Sequence, residues 1–192
     1  VNTTFLYAQK QKDRVKEMME NLSKDELIKH LSVIAGDDME GRKTGEAGQK
    51  KAANYLRNFY KNLNIDASPG TTDYFQAVPS EAMKRMFSPK LNDSENVVAY
   101  IKGSEKPDEY LVISAHYDHV GIANGEIFNG ADDNGTGTTA LLEMARMFKI
   151  AQKNGFGPKR SIVFLHCTGE EYGLHGSRYF ANSKIIPLEN II

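Results

Sequence analysis

Tyr110-Leu111-Val112-Ile113-Ser114-Ala115 runs uncharged into His116-Tyr117-Asp118-His119. A second such run, Ser161-Ile162-Val163-Phe164-Leu165-His166, leads into Cys167-Thr168-Gly169-Glu170-Glu171. Continuous runs of this kind mark strands buried on both faces. Between them, Thr138–Ala151 sets Leu141, Leu142, Ala145 and Phe148 at helical spacing. Strand, helix, strand predicts an α/β domain, with three layers (helix, sheet, helix) around a mixed and largely parallel sheet. In such sheets ligands bind outside the carboxyl ends of the strands. The polar clusters of this chain fall at those ends.

Upstream, Asn96–Ile101 reads as a third strand, and Tyr74–Val78 as a short one closed by Pro79. Residues 80–95 read as a polar insertion with Met83, Met86 and Phe87 embedded. Ala52, Ala53, Leu56, Phe59, Tyr60 and Leu63 line one side of a helix that Asn64 stops. Before it, residues 36–48 are rich in glycine and charge and read as a loop. Val15, Met18, Met19 and Leu22, then Leu27, Ile28, Leu31 and Ile34, give helical spacing in two pieces. Ser23 with Glu26 fits a capping box that opens the second piece. This divides the chain into an amino-terminal tail and helix, 1–24, and a domain portion, 25–192.

Composition excludes several functions. The 24 basic and 25 acidic residues leave a net charge of −1, which gives no pull toward nucleic acid or an anionic membrane. A single cysteine rules out an intrachain disulfide. No apolar run approaches the ~18 residues a membrane span needs. The opening Val1–Gln9 has the small residue Ala8 where an export signal is cleaved, and also reads as a frayed terminus.

Three clusters carry chemistry. In an extended chain His116 and Asp118 point the same way, so the carboxylate can take the second ring N–H of a ligating histidine. His119 faces the other way on this reading and is structural or peripheral. The alternative for this cluster is a cap or a surface turn. Asn129-Gly130-Ala131-Asp132-Asp133-Asn134-Gly135-Thr136-Gly137 precedes a helix. A phosphate cradle there is opposed by two carboxylates and lacks a lysine, and the spacing fails for a calcium loop of the EF-hand type. A carboxylate able to bridge two cations remains, against a solvated acidic turn. Glu170 and Glu171, flanked by glycines, suit a division in which one ligates a metal and the other stays free as a base. As isolated residues they read as surface charge. Cys167 and His166 read as core.

In this order, SAHYDHVG at 114–121, NGADDNGTG at 129–137 and GEEYGLHGS at 169–177 resemble the co-catalytic two-zinc exopeptidases, which include bacterial secreted aminopeptidases and glutamate carboxypeptidase relatives. DMEGRKTGEAGQKKAANYL at 38–56 is also similar. The resemblance covers residues 25–192 and implies roles. His116, Asp132 and Glu171 would be metal ligands, with Asp132 bridging two zincs and the Asp132–Asp133 peptide cis. Asp118 would orient His116, and Glu170 would be the general base. The implied activity is metal-dependent hydrolysis of peptide bonds, with an aminopeptidase as the leading reading. A one-zinc glutaminyl cyclase and a non-catalytic binding or receptor domain on the same fold are the alternatives. Cobalt or manganese also suit such mixed nitrogen and oxygen ligands.

Relatives use two further ligands, an Asp on the next strand and a late His, and neither is found in residues 1–192. The expectation is an amino-terminal part of a longer enzyme, incomplete at its carboxyl end, with zinc weakly held or absent and little activity of its own. An exposed sheet edge would then favour a homodimer. The family's habit points to the periplasm or the exterior.

Overall fold

The computed structural model describes residues 3–84 and 90–192. Met86 and Phe87, read as apolar residues of the insertion, lie outside the described residues. Helix α1 spans Thr3–Glu20, starting earlier than the spacing from Val15 suggests. α2 spans Lys24–Ile34. Its start is the expected cap: Ser23 Oγ accepts the Glu26 N–H at 3.1 Å. The return half of the box is made from elsewhere, because the Ser23 N–H donates to Glu143 Oε1 at 2.9 Å. Met19, Leu22 and Ile28 stay more than half exposed. These three positions therefore cover less core than the helical spacing implies.

α3 spans Ala47–Asn62 and stops where Asn64 turns left-handed at φ 53°. The strands are β1 (Asp66–Ala67), β2 (Phe75–Val78), β3 (Ser94–Ile101) and β4 (Lys106–His116), then the hairpin β5 (Gly121–Ala123) and β6 (Glu126–Phe128), and β7 (Arg160–Cys167). α4 (Gly137–Lys153) joins the hairpin side to β7, and α5 (His175–Ser183) follows β7.

The sheet runs β1-β3-β7-β4, with β2 also paired to β3. It is mixed. β3 is antiparallel to β1, β2 and β7, and the parallel pair among the described residues is β4–β7. Helices cover both faces. Leu56 and Tyr60 of α3 and Leu142 and Ala145 of α4 pack on Val97, Ile162 and Phe164. On the other side, Phe180 of α5 meets Val98, Val163 and Leu165. β7 is central and buried along nearly its whole length, as its apolar run predicts. β4 differs: Leu111 is 42% exposed, and much of the strand is only half-buried. It lies at the edge of the sheet, where one isolated bridge from Tyr110 to Ile191 covers its outer side.

The β4–β7 register positions the site. Leu111 pairs with Ile162, and the parallel ladder ends with His116 beside Cys167. The residues that follow each strand therefore emerge together. Among the described residues no helix is long and apolar enough to cross a membrane.

Candidate metal centre

His116 ends β4 with its side chain about nine-tenths buried. Its Nδ1 faces Asp118 through the backbone carbonyl at 3.1 Å, with the carboxylate Oδ1 at 3.7 Å. The second distance is a charge contact beyond hydrogen-bond reach. Asp118 is wholly buried and is used twice more: Thr44 Oγ1 donates to Oδ2 at 2.6 Å, and the Glu170 N–H donates to Oδ1 at 3.3 Å. One carboxylate thus ties the end of β4, the segment before α3 and the start of the glutamate pair. Burial pulls the His116 imidazole down, but the Asp118 carboxylate and carbonyl and the Glu170 carboxylate outweigh it and hold the group up at about 9.

The other His116 nitrogen, Nε2, looks into the cleft. Asp133 Oδ1 lies 3.0 Å from it and Glu170 Oε2 3.8 Å. Asp133 therefore stands where the resemblance set Asp132. The Asp132 side chain has no contact of this kind among the described residues, and its carbonyl only accepts from Thr136 Oγ1 at 2.8 Å. The backbone causes the shift. Asp133 and Asn134 leave the helical region, at φ −109°, ψ 99° and φ −125°, ψ 45°, which turns the Asp133 side chain toward β4. The cis peptide is Asp133–Asn134, one bond later than expected.

Glu170 and Glu171 both reach the cleft. His116, Glu170 and Glu171 offer donor atoms within 4.8 Å of one another, and so do His119, Asp133 and Glu171. His119, expected to be structural or peripheral, sets its Nδ1 against Glu171 Oε1. The extended conformation ends at His116, so the two-residue alternation no longer applies at position 119.

Arg42, a residue of the upstream segment that sequence reasoning gave no role, frames the site from below. It is completely buried. Its guanidinium donates to the carbonyls of Tyr117 (2.7 Å), Ile34 (2.6 Å), Asn129 (2.7 Å) and Gly130 (2.9 Å). Burial lowers it to about 10, against the pull of Asp118, Asp133 and Glu171, so it stays charged at neutral pH. The end of α2, the end of β4 and the turn before Asp133 are thereby pinned to one side chain.

The two donor groups together hold the histidines His116 and His119 and the carboxylates of Asp133, Glu170 and Glu171. That chemistry fits a divalent metal. Residues 96–192, half of the chain, match the sequence profile of peptidase family M28. The chain belongs to peptidase family M28. It is 33% identical over 99 residues to the probable glutamate carboxypeptidase AMP1 of Arabidopsis thaliana, covering 52% of this chain and 13% of that protein. A probable zinc metalloprotease of Pyricularia oryzae is 38% identical over 91 residues, covering 46% of this chain and 17% of that one. The chain thus spans less than a fifth of the length of either curated relative. The LapA aminopeptidase of Legionella pneumophila superposes with a TM-score of 0.64 at 21% identity, over 92% of this chain and 43% of that one, a likeness of fold. The three motifs of this chain all fall in the α/β unit they were expected to share.

Proposed function

We propose that this M28 chain contributes the metal-binding half of an exopeptidase centre, with an aminopeptidase as the leading reading. The observation that carries it is the convergence of His116, Asp133, Glu170 and Glu171 on one cleft at the carboxyl ends of β4 and β7. His116, Asp133 and Glu171 are the residues to hold zinc, and Asp133 replaces Asp132 as the carboxylate able to serve two cations. When bound, such cations polarise a peptide carbonyl and make water acidic enough to attack at neutral pH.

The protein's own part is positional and protonic. Asp118 holds the His116 ring from behind, through its carbonyl and its charge. Through Thr44 and the Glu170 N–H it also fixes the backbone from which Glu170 projects. Glu170 is 35% exposed at its side chain and makes no ion pair shorter than 3.8 Å to His116 among the described residues. It is free to take a proton from the attacking water at a carboxylate oxygen and hand it to the leaving amine. The resemblance implies two further ligands, and the proposed activity requires them beside His116, Asp133 and Glu171.

The test is hydrolysis of amino-acid nitroanilides and of carboxy-terminal dipeptides by the longer protein, with and without a chelator. Chelator-sensitive release from the amino-terminal substrates supports the proposal. No chelator-sensitive cleavage of either class would overturn it in favour of a binding domain. Cyclisation of amino-terminal glutamine in its place would favour the one-zinc alternative.

A further inference from the structure

His119 stands beside the proposed ligands and is built into the site as firmly as they are. Its side chain is 13% exposed. Its N–H donates to the Arg42 carbonyl at 3.1 Å, and it bridges Lys43 in β fashion. The ring lies against the backbone of Gly130, where φ is +52° and an added Cβ would meet His119 Cδ2 at 2.5 Å and Cγ at 2.6 Å. No side chain other than hydrogen fits there, so the glycine leaves room for the imidazole. With its face set on Gly130, the ring directs Nδ1 at Glu171 Oε1, 2.5 Å away.

Two roles are compatible with that place: a third ligand on the Asp133 and Glu171 side, or a support for Glu171. The distance decides between them. Nitrogen and oxygen ligands that each sit roughly 2 Å from one cation stand about 3 Å or more apart, whereas His119 Nδ1 and Glu171 Oε1 are in direct hydrogen-bond contact, too close to share a cation. We infer that His119 is a positioning residue, whose Nδ1–H holds Glu171 Oε1 and leaves the other carboxylate oxygen for a cation. Ligating carboxylates are held by outer partners, and losing such a partner costs about 10–100-fold in metal affinity. This rests on the metal-centre reading above.

The test uses the protein with the complete ligand set and zinc itself as the probe, in competition with a metallochromic indicator, and needs no turnover. His119→Phe keeps a ring and removes the donor, while His119→Asn keeps a donor near Nδ1. His119→Phe should weaken zinc binding by about 10–100-fold, with His119→Asn recovering most of the loss. Thermal melts of the metal-free proteins report whether each variant folds, and His119→Asn carries the comparison if His119→Phe does not. X-ray absorption should count the same number of histidines in wild type and His119→Asn. One histidine fewer in His119→Asn would make His119 a ligand and overturn the inference, as would zinc affinity unchanged in His119→Phe. Proton NMR of the metal-free chain supplies a readout without zinc: a downfield Nδ1–H signal that disappears in His119→Phe and moves in Glu171→Leu. Its absence would also overturn the inference. Failure of wild type to bind any zinc would instead sink the metal-centre reading, while the NMR signal still decides whether His119 holds Glu171.

Discussion

Replacing Asp133 by Asn removes charge from the oxygen that faces His116 Nε2 at 3.0 Å. Zinc affinity of the protein with the complete ligand set should then fall by more than about 100-fold, the upper end of what losing a mere supporting residue costs. Asp132→Asn should stay within a few-fold of wild type, because the Asp132 carboxylate is in neither group of donor atoms. Calorimetric titration of the two variants decides between adjacent residues, and equal losses would return the bridging role to the pair as a unit. Glu170→Gln is the complementary change. It keeps the shape and removes the base, so kcat in the longer protein should drop by about 10²–10⁴-fold, with zinc binding nearly unchanged. A Glu170→Gln enzyme with wild-type kcat would take the proton-transfer role from Glu170. At this scale the sequence made the residue types legible and their aim less so. His116 and Asp118 do approach each other, but the strand ends at His116, so the contact comes from the turn that follows, through the Asp118 carbonyl, and not from alternation. The same turn aims His119 at Glu171. Adjacent aspartates in a turn carry no period at all, so nothing local separated Asp132 from Asp133.

Arg42 shows how elements rather than residues make the site. Its four carbonyl partners belong to the end of α2, the end of β4 and the turn leading to Asp133. Arg42→Met keeps much of the volume and leaves those acceptors unsatisfied in a buried place. At about 1–3 kcal/mol for each unsatisfied buried group, urea unfolding of the full chain should show a loss of at least about 3 kcal/mol. A change under about 1 kcal/mol would mean that water or a shifted backbone replaces the fork. This arginine sits in DMEGRKTG, a stretch readable as a loop, and four long-range carbonyl contacts have no local signature. The helices and strands were legible because their signals are local. Ser23 does cap α2, and the apolar run of β7 is buried. The run of β4 is as apolar in sequence, yet half-buried in the fold. An edge position is a property of the sheet, and no window of sequence contains it. The partner of the Ser23 N–H likewise comes from Glu143, 120 residues away.

At the scale of the molecule, the sheet that carries the centre also buries an imidazole with no charge partner. His166 sits on β7 facing α3, with Nε2 2.7 Å from the Tyr60 hydroxyl and Nδ1 without a partner among the described residues. Burial alone lowers it to about 3. The unfolded chain takes up this proton once pH falls below about 6.5, and the folded chain refuses it until about 3. The unfolded state therefore binds more protons across that window, so stability falls as pH decreases through it, by about 1.4 kcal/mol per pH unit. Between pH 7 and pH 5 this one group should cost about 2 kcal/mol. His30 is also lowered, chiefly by burial, and adds in the same direction, so the quantity to measure is a difference. Unfolding free energies of wild type and His166→Gln, taken at both pH values, remove the contribution common to both proteins. His166→Gln should be less stable than wild type at pH 7, having lost the fit against Tyr60, and should lose about 2 kcal/mol less on going to pH 5. Parallel pH profiles would mean that the folded protein admits a proton at His166, and hence that the space between α3 and β7 opens to water far more readily than its packing implies.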